Sequence, residues 1–285
     1  MNISFTKMQG AGNDYIYIDT ISKPWPADKD KSEVTVKLSD RHFGIGGDGV
    51  IFINASDEAD FEMEMYNMDG SRSEMCGNGI RCVAKYVYDH GMTGQKTEFS
   101  IISSGKVKYM TVYPDPETGK ADQIRVNMGS PILEAEKIPV EARKSPVVSE
   151  PIEVAGKSYV MTCVSMGNPH AVIFVDNTED YPLEQVGPLF ECHWRFPKRV
   201  NTEFVQVLDR THVRMRVWER GTGETLACGT GCCATAVACI LNGLTEDEIT
   251  VKVLGGEIRV KWDRTENLVW MTGPAREVFS GTVEI

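Results

Sequence analysis

Met75-Cys76-Gly77-Asn78-Gly79 and Ala227-Cys228-Gly229-Thr230-Gly231 read as two copies of one device. Each sets a cysteine before Gly-x-Gly, and each leads into an apolar run. Ile80, Val83, Ala84, Val87 and Tyr88 recur at the i, i+3, i+4, i+7, i+8 spacing of an amphipathic helix that stops at His90-Gly91. The run from Cys232 through Ala236, Val237, Ile240 and Leu241 is apolar nearly all round and stops at Asn242-Gly243. Gly91 and Gly243 each stand 15 residues beyond their cysteine. The spacing predicts a cysteine at a helix N-terminus, twice.

Outward from these motifs the rest of the chain repeats too. Ile3 to Met8 and Tyr15 to Ile18 read as strands flanking Gly12-Asn13; Tyr159 to Val164 and Ala171 to Val175 flank Gly167-Asn168. Gly46 to Ile53 matches Val200 to Val207. Asn67 lies nine residues before Cys76, as Glu219 lies nine before Cys228. The shift is 152 residues between the cysteines, 155 between the asparagines and 154 between Val50 and Phe204. So near-constant a shift indicates a duplicated α+β unit, mostly antiparallel strands around one buried helix per half. Lys23 to Pro26 and the charged stretch after it read as a surface loop, with a helical turn at Leu38 to His42. Gly44-Ile45-Gly46-Gly47-Asp48-Gly49 is neither a dinucleotide fingerprint nor a P-loop, and a tight turn before a strand is preferred.

Composition limits the partners. Thirty basic and 41 acidic residues give a net charge of −11, which disfavours nucleic acid and anionic lipid. No apolar run approaches the ~20 residues of a membrane span, and Met1 to Thr6 does not resemble a signal peptide. The expectation is a cytoplasmic protein with a small-molecule substrate; a transit peptide removed beforehand is left open. Eight cysteines without a Cys-x-x-Cys read as thiols in a reducing compartment.

A thiol at a helix N-terminus meets the positive end of the dipole, worth up to ~2 kcal/mol, or about one pKa unit. From a free value near ~8.5, a minority is then thiolate at neutral pH. One cysteine as thiolate and its twin as thiol supply a base and an acid on opposite faces of a carbon, which is what inverting a Cα–H centre requires. A zinc site would need paired ligands that Cys228-x3-Cys232 lacks, and a protease-like nucleophile would not explain the duplicate. Cys82, Cys163, Cys192, Cys233 and Cys239 are read as buried structural residues.

Gln9-Gly-Ala-Gly-Asn-Asp14, Asn67-Met-Asp-Gly-Ser71, Met75 to Cys82, Gly167-Asn-Pro-His170 and Glu219 to Gly231 together closely resemble the diaminopimelate epimerase family, from about Phe5 to the C-terminus. The resemblance implies a cofactor-independent epimerase acting on LL- and meso-diaminopimelate, with no metal, and commonly a homodimer. It implies two pseudo-symmetric domains, each a barrel-like sheet around a central helix, with the site between them. The halves would be residues 1–130 with the tail 274–285, and 131–273. Carried over by motif, Cys76 and Cys228 are the acid/base pair. The amides of Gly77, Asn78, Gly229 and Thr230 hold the reacting carboxylate. Asn67, Asn168, Asn201 and Arg220 bind the distal end, and Asn13 and Glu219 lie near the amines. Arg and Asn suit a carboxylate and Glu an ammonium. His170 is left as a structural residue. Many family members carry a substrate-binding glutamine where this chain has Gly49. Proline or hydroxyproline racemases share the two thiols without needing a distal Arg/Asn cluster. A non-catalytic amino-acid-binding or redox-switch protein would not need both thiols at matched helix ends.

Overall fold

The computed structural model describes residues 2–73 and 76–285; Met1 and Met75, the latter opening the first motif, lie outside them. The chain divides into two compact units, Met1–Val126 with Gly273–Ile285, and Asn127–Thr272.

In the first unit, β1 (Asn2–Gly10) and β2 (Asn13–Asp19) form a hairpin, and β2 runs parallel to β3 (Gly49–Asn54). Next come β4 (Phe61–Asn67), antiparallel to β3, the two-residue β5 (Arg72–Ser73), and β6 (Glu98–Ser103), parallel to β4. β7 (Lys106–Pro114) and β8 (Ala121–Gly129) extend the antiparallel meander. The C-terminal strand β18 (Arg276–Glu284) pairs with β1. Helix α2 (Gly77–Asp89) carries the apolar stripe read from the sequence. Its Ile80, Val83, Ala84 and Val87 are fully buried, each large one contributing about 1.5–3 kcal/mol before entropy.

The second unit repeats the pairing. β9 (Glu150–Val154) takes the place of β18 beside β10 (Lys157–Ser165), which pairs antiparallel with β11 (Pro169–Phe174). Then follow β12 (Asn201–Val207), β13 (His212–Glu219), β14 (Gly223–Thr225), β15 (Glu248–Val253), β16 (Gly256–Asp263) and β17 (Leu268–Pro274). Their parallel and antiparallel contacts follow the order of β3 to β8. Helix α4 (Gly229–Leu241) is buried almost throughout, as its uniformly apolar run predicts.

Registers correct the alignment of the central strands. Val50 pairs with Tyr66 and Thr202 with Trp218, so the shift there is 152, the same as between the cysteines, and not 154. Ile51 therefore corresponds to Glu203, and Gly49 to Asn201.

Two helices escape the sequence reading. The expected loop before Leu38 contains α1 (Lys31–Ser39), capped by Asp30, whose Oδ1 accepts the Glu33 N–H at 2.9 Å. In the second unit α3 (Leu183–Glu191) corresponds to it, with Gly187 pressed against the Trp218 ring. The glycine-rich loop folds back on the end of α1: the N–H groups of Ile45 and Gly46 bond the Leu38 carbonyl, and that of Gly47 bonds Ser39. Amides that would cradle a phosphate are used as a helix C-cap.

Gly49 is constrained by a close approach. Its φ is +156°, and a Cβ there would sit 2.0 Å from the Tyr66 carbonyl oxygen. A glutamine, which the resemblance leads one to expect here, has no room at this backbone. Gly49→Gln should destabilise the fold by on the order of 3 kcal/mol. A lower urea midpoint at unchanged slope is the expected result, and a variant as stable as its parent would contradict the close approach.

Candidate active site

Cys76 sits in extended backbone (φ −130°, ψ 111°) as the N-cap of α2, and its Sγ accepts the Gly79 N–H at 3.2 Å. The thiol also donates to Asn13 Oδ1 at 3.2 Å. Asn13 Nδ2 donates to Asp48 Oδ2 at 2.7 Å, which fixes the amide oxygen toward the sulfur. Arg41 bridges Asp48 (2.8 Å) and both oxygens of Asp14 (2.7 and 3.1 Å). Burial would raise Asp14, but hydrogen bonds from Arg41 and Lys7 outweigh it and hold the carboxyl below its ordinary range. Gly77 and Asn78 open the helix. Arg81, fully buried, donates to the Gly77 carbonyl (3.1 Å), Asn78 Oδ1 (2.9 Å) and the Pro274 carbonyl (3.2 Å). Asn67 ends β4 opposite Gly49 and donates to Ser71 Oγ at 3.0 Å.

Cys228 is the N-cap of α4 with matching backbone (φ −117°, ψ 110°), and Thr230 Oγ1 lies 3.5 Å from its sulfur. Only 5 % exposed, the thiol is pushed well above its ordinary value by burial, with the Glu219 and Glu203 carboxyls adding to the effect. This corrects the expectation from the helix end alone. A dipole worth about one pKa unit yields to burial, which reaches 3–5 units for fully buried groups. Glu219 is itself raised by burial, although hydrogen bonds from Thr225 and Cys228 draw it back.

The remaining residues lie on loops and strand ends of this unit. Asn201, buried, donates to the Pro169 carbonyl (3.0 Å) and accepts the Arg220 N–H (2.9 Å), tying two loops together. The Arg220 guanidinium bonds the Lys198 carbonyl at 3.1 Å and is otherwise exposed. Glu191 secures the same loop through Trp218 Nε1 (2.8 Å) and the Gly221 N–H (2.9 Å). Asn168 Oδ1 faces His170 Nε2 at 3.0 Å, and His170 Nδ1 lies 2.7 Å from Glu203 Oε1.

The terminal glycine of each Gly-x-Gly has a steric reason. A Cβ on Gly79 would meet Ile51 Cδ1 at 2.7 Å and Cys76 Sγ at 3.5 Å; one on Gly231 would meet Glu203 Oε1 at 2.7 Å and Cys228 Sγ at 3.3 Å. Asp48, Arg41, Glu191 and Glu203 were missed in the sequence. Of these Glu203 was findable, as a carboxylate in an otherwise apolar strand. Among the cysteines read as structural, Cys192 departs from expectation: it follows the last turn of α3 and is exposed. Cys82 and Cys239 are buried, which pushes their thiols up to about 11 and about 12.

The family model of diaminopimelate epimerase matches residues 5–134 and 162–278. The chain belongs to the diaminopimelate epimerase family. It is 53 % identical over 286 residues to the diaminopimelate epimerase of Acetivibrio thermocellus, covering 99 % of this chain and 98 % of that one. It is 51 % identical over 284 residues to that of Methanococcus maripaludis, covering 99 % and 100 %. A solved hydroxyproline epimerase from Agrobacterium vitis superposes with a TM-score of 0.68 at 13 % identity, covering 99 % and 91 % of the two chains. A PhzF-family phenazine biosynthesis protein from Bacillus anthracis does so at 0.69 and 15 %, over both chains entirely. At such identities the likeness concerns the fold, here a two-domain α+β one.

The two thiols should differ in reactivity. A small alkylating agent near neutral pH should modify Cys76, half-buried, well before Cys228, whose thiolate appears only at alkaline pH. Peptide mass mapping over time checks this; faster labelling of Cys228 would contradict the burial argument.

Proposed function

We propose that this chain interconverts LL- and meso-diaminopimelate by two-thiol proton transfer at Cα, in lysine and peptidoglycan precursor synthesis. The observation that carries the reading is the cysteine at the N-cap of the buried helix in each duplicated unit. One sulfur, as thiolate, removes the Cα proton; the other, as thiol, delivers a proton to the opposite face. The first helical amides, Gly77 and Asn78 in one unit and Gly229 and Thr230 in the other, take the carboxylate at the reacting centre, where helix N-termini favour negative charge. That charge grows as the carbanion forms, so the same amides favour the transition state. Asn13, already bonded to Cys76, and Glu219, beside Cys228, lie nearest the substrate amines in this scheme. Asn67, Asn168, Asn201 and Arg220 take the distal amino-acid end, and Asn201 also holds the Arg220 backbone.

The pair of states is self-renewing. After inversion the first cysteine is thiol and the second thiolate, the set needed for the reverse reaction. Each turnover in the opposite direction restores the start, so this reading calls on no cofactor. A homodimer and a cytoplasmic location complete the proposal. Among the described residues no helix is long and apolar enough to cross a membrane.

In deuterated water the product isomer should carry deuterium at the inverted centre from the first turnover. Serine is a far weaker acid than cysteine, so Cys76→Ser and Cys228→Ser should each lower kcat by at least about a hundredfold. Near-normal epimerisation by either variant would sink the two-thiol scheme. Lysine keeps the amine but lacks the distal carboxylate, and losing that charge-assisted contact costs about 1.5–3 kcal/mol, roughly ten- to hundredfold in kcat/KM. Comparable turnover of lysine or proline would point instead to a racemase of broader specificity.

A further inference from the structure

One buried carboxyl has no counterpart in the other half. Glu203 stands on β12 where the 152-residue shift places Ile51 on β3. Its side chain and that of His170, on the neighbouring parallel strand β11, are both 0 % exposed. Glu203 Oε1 lies 2.7 Å from His170 Nδ1, and His170 Nε2 lies 3.0 Å from Asn168 Oδ1. Glu203 Oε2 has no hydrogen-bond partner among the described residues.

The contacts restrict where the protons sit. With an amide oxygen facing it, Nε2 must carry a proton. The contact at Nδ1 then holds one more, giving either imidazolium with carboxylate or imidazole with carboxylic acid. Both arrangements are neutral overall. The alternative turns the Asn168 amide so that its NH2 donates to a bare Nε2, and leaves a net negative pair. Fully buried, with one carboxyl oxygen reached by no donor, that charge is strongly disfavoured.

We propose that Glu203 is a positioning residue for substrate recognition: through His170 it holds the Asn168 amide with its oxygen turned inward, leaving the NH2 to donate to a substrate carboxylate. Replacing the acid by an amide removes the constraint. A glutamine can donate to Nδ1 or accept from it, so both ring tautomers, and both orientations of Asn168, become available. The identity of the carboxylate rests on the epimerase reading above; the orientation of the amide does not.

Two measurements test this. In protein carrying 15N-labelled histidine, NMR near neutral pH should show a proton on His170 Nε2 without substrate; a bare Nε2 overturns the proposal whether or not any variant folds. Glu203→Gln should raise KM for diaminopimelate roughly two- to tenfold, the range of one neutral hydrogen bond, and more than it lowers kcat. In an Asn168→Ala background the same substitution should change KM no further, since its effect passes through that amide. An additive effect there, or an effect on kcat alone, would assign Glu203 to packing or to the thiol of Cys228 and overturn the proposal. If the wild-type protein failed to epimerise diaminopimelate, the functional reading would fall, while the NMR result would still decide the amide orientation.

Discussion

Everything around the two thiols depends on how closely the first turn of each buried helix approaches its central strand. Where Gly79 meets Ile51 and Gly231 meets Glu203, a single added methyl group would stand 2.7 Å from the strand side chain. A shift of the helix would relieve the clash only by withdrawing the capping cysteine from the loops that serve it. The Gly-x-Gly after each cysteine is thus a packing requirement at its second glycine. The placing of the first turn follows from the same geometry, because the helix begins where the strand lets it begin.

Duplicated backbone does not give duplicated chemistry. Around Cys76 the partners are an amide, Asn13, fixed by Asp48, and a guanidinium, Arg81, beneath the first turn. Around Cys228 they are two carboxyls in a drier setting. The position of Arg81 is held in the second unit by Cys233, and that of Ile51 by Glu203. Substitutions at such buried positions change the electrostatics at the sulfur without altering strand order or capping geometry. A reaction that is symmetric in chemistry but joins two diastereomers, one chiral and one meso, has no need of equal thiols.

How much of this the sequence discloses follows from which signals are periodic. α2 and α4 were legible from their apolar runs and their ends, His-Gly and Asn-Gly, whereas β9 and β16 alternate as half-buried strands do and yet went unread. α1 was hidden by Val34, Thr35 and Val36, which resemble a strand or loop more than a helix. Its Asp30-x-x-Glu33 capping signature is a local mark of the helix start that the sequence reading passed over. α3 contains Gly187 and Pro188, both ordinarily helix-breaking. Its register is set by Trp218 packing on the bare Gly187, a tertiary contact that no local pattern announces. The cysteines and their glycines were legible because a matched pair is improbable by accident. The direction of the Cys228 shift was not, since burial and the approach of Glu203 depend on folding distant strands together.

Gly49 and Asn201 show where recognition can and cannot reside. They occupy equivalent places at the start of the central strand, opposite the last residues of β4 and β13. At Gly49 the neighbouring strand leaves no room for a side chain; at Asn201 the side chain is present but buried and used on both ends to join two loops. At Asn201 these bonds engage one of the two amide N–H donors and one acceptor site, so the side chain is tied down without being exhausted. On the proposed reading, contacts to a distal amino-acid end come from side chains on loops and strand ends: Asn67, Asn168, Asn201 and Arg220. What the strand contributes is the rigidity with which those loops are held. Gly49 thus marks a place where the packing of β3 on β4 excludes a side chain, and its counterpart Asn201 a place where a side chain is kept and tied down.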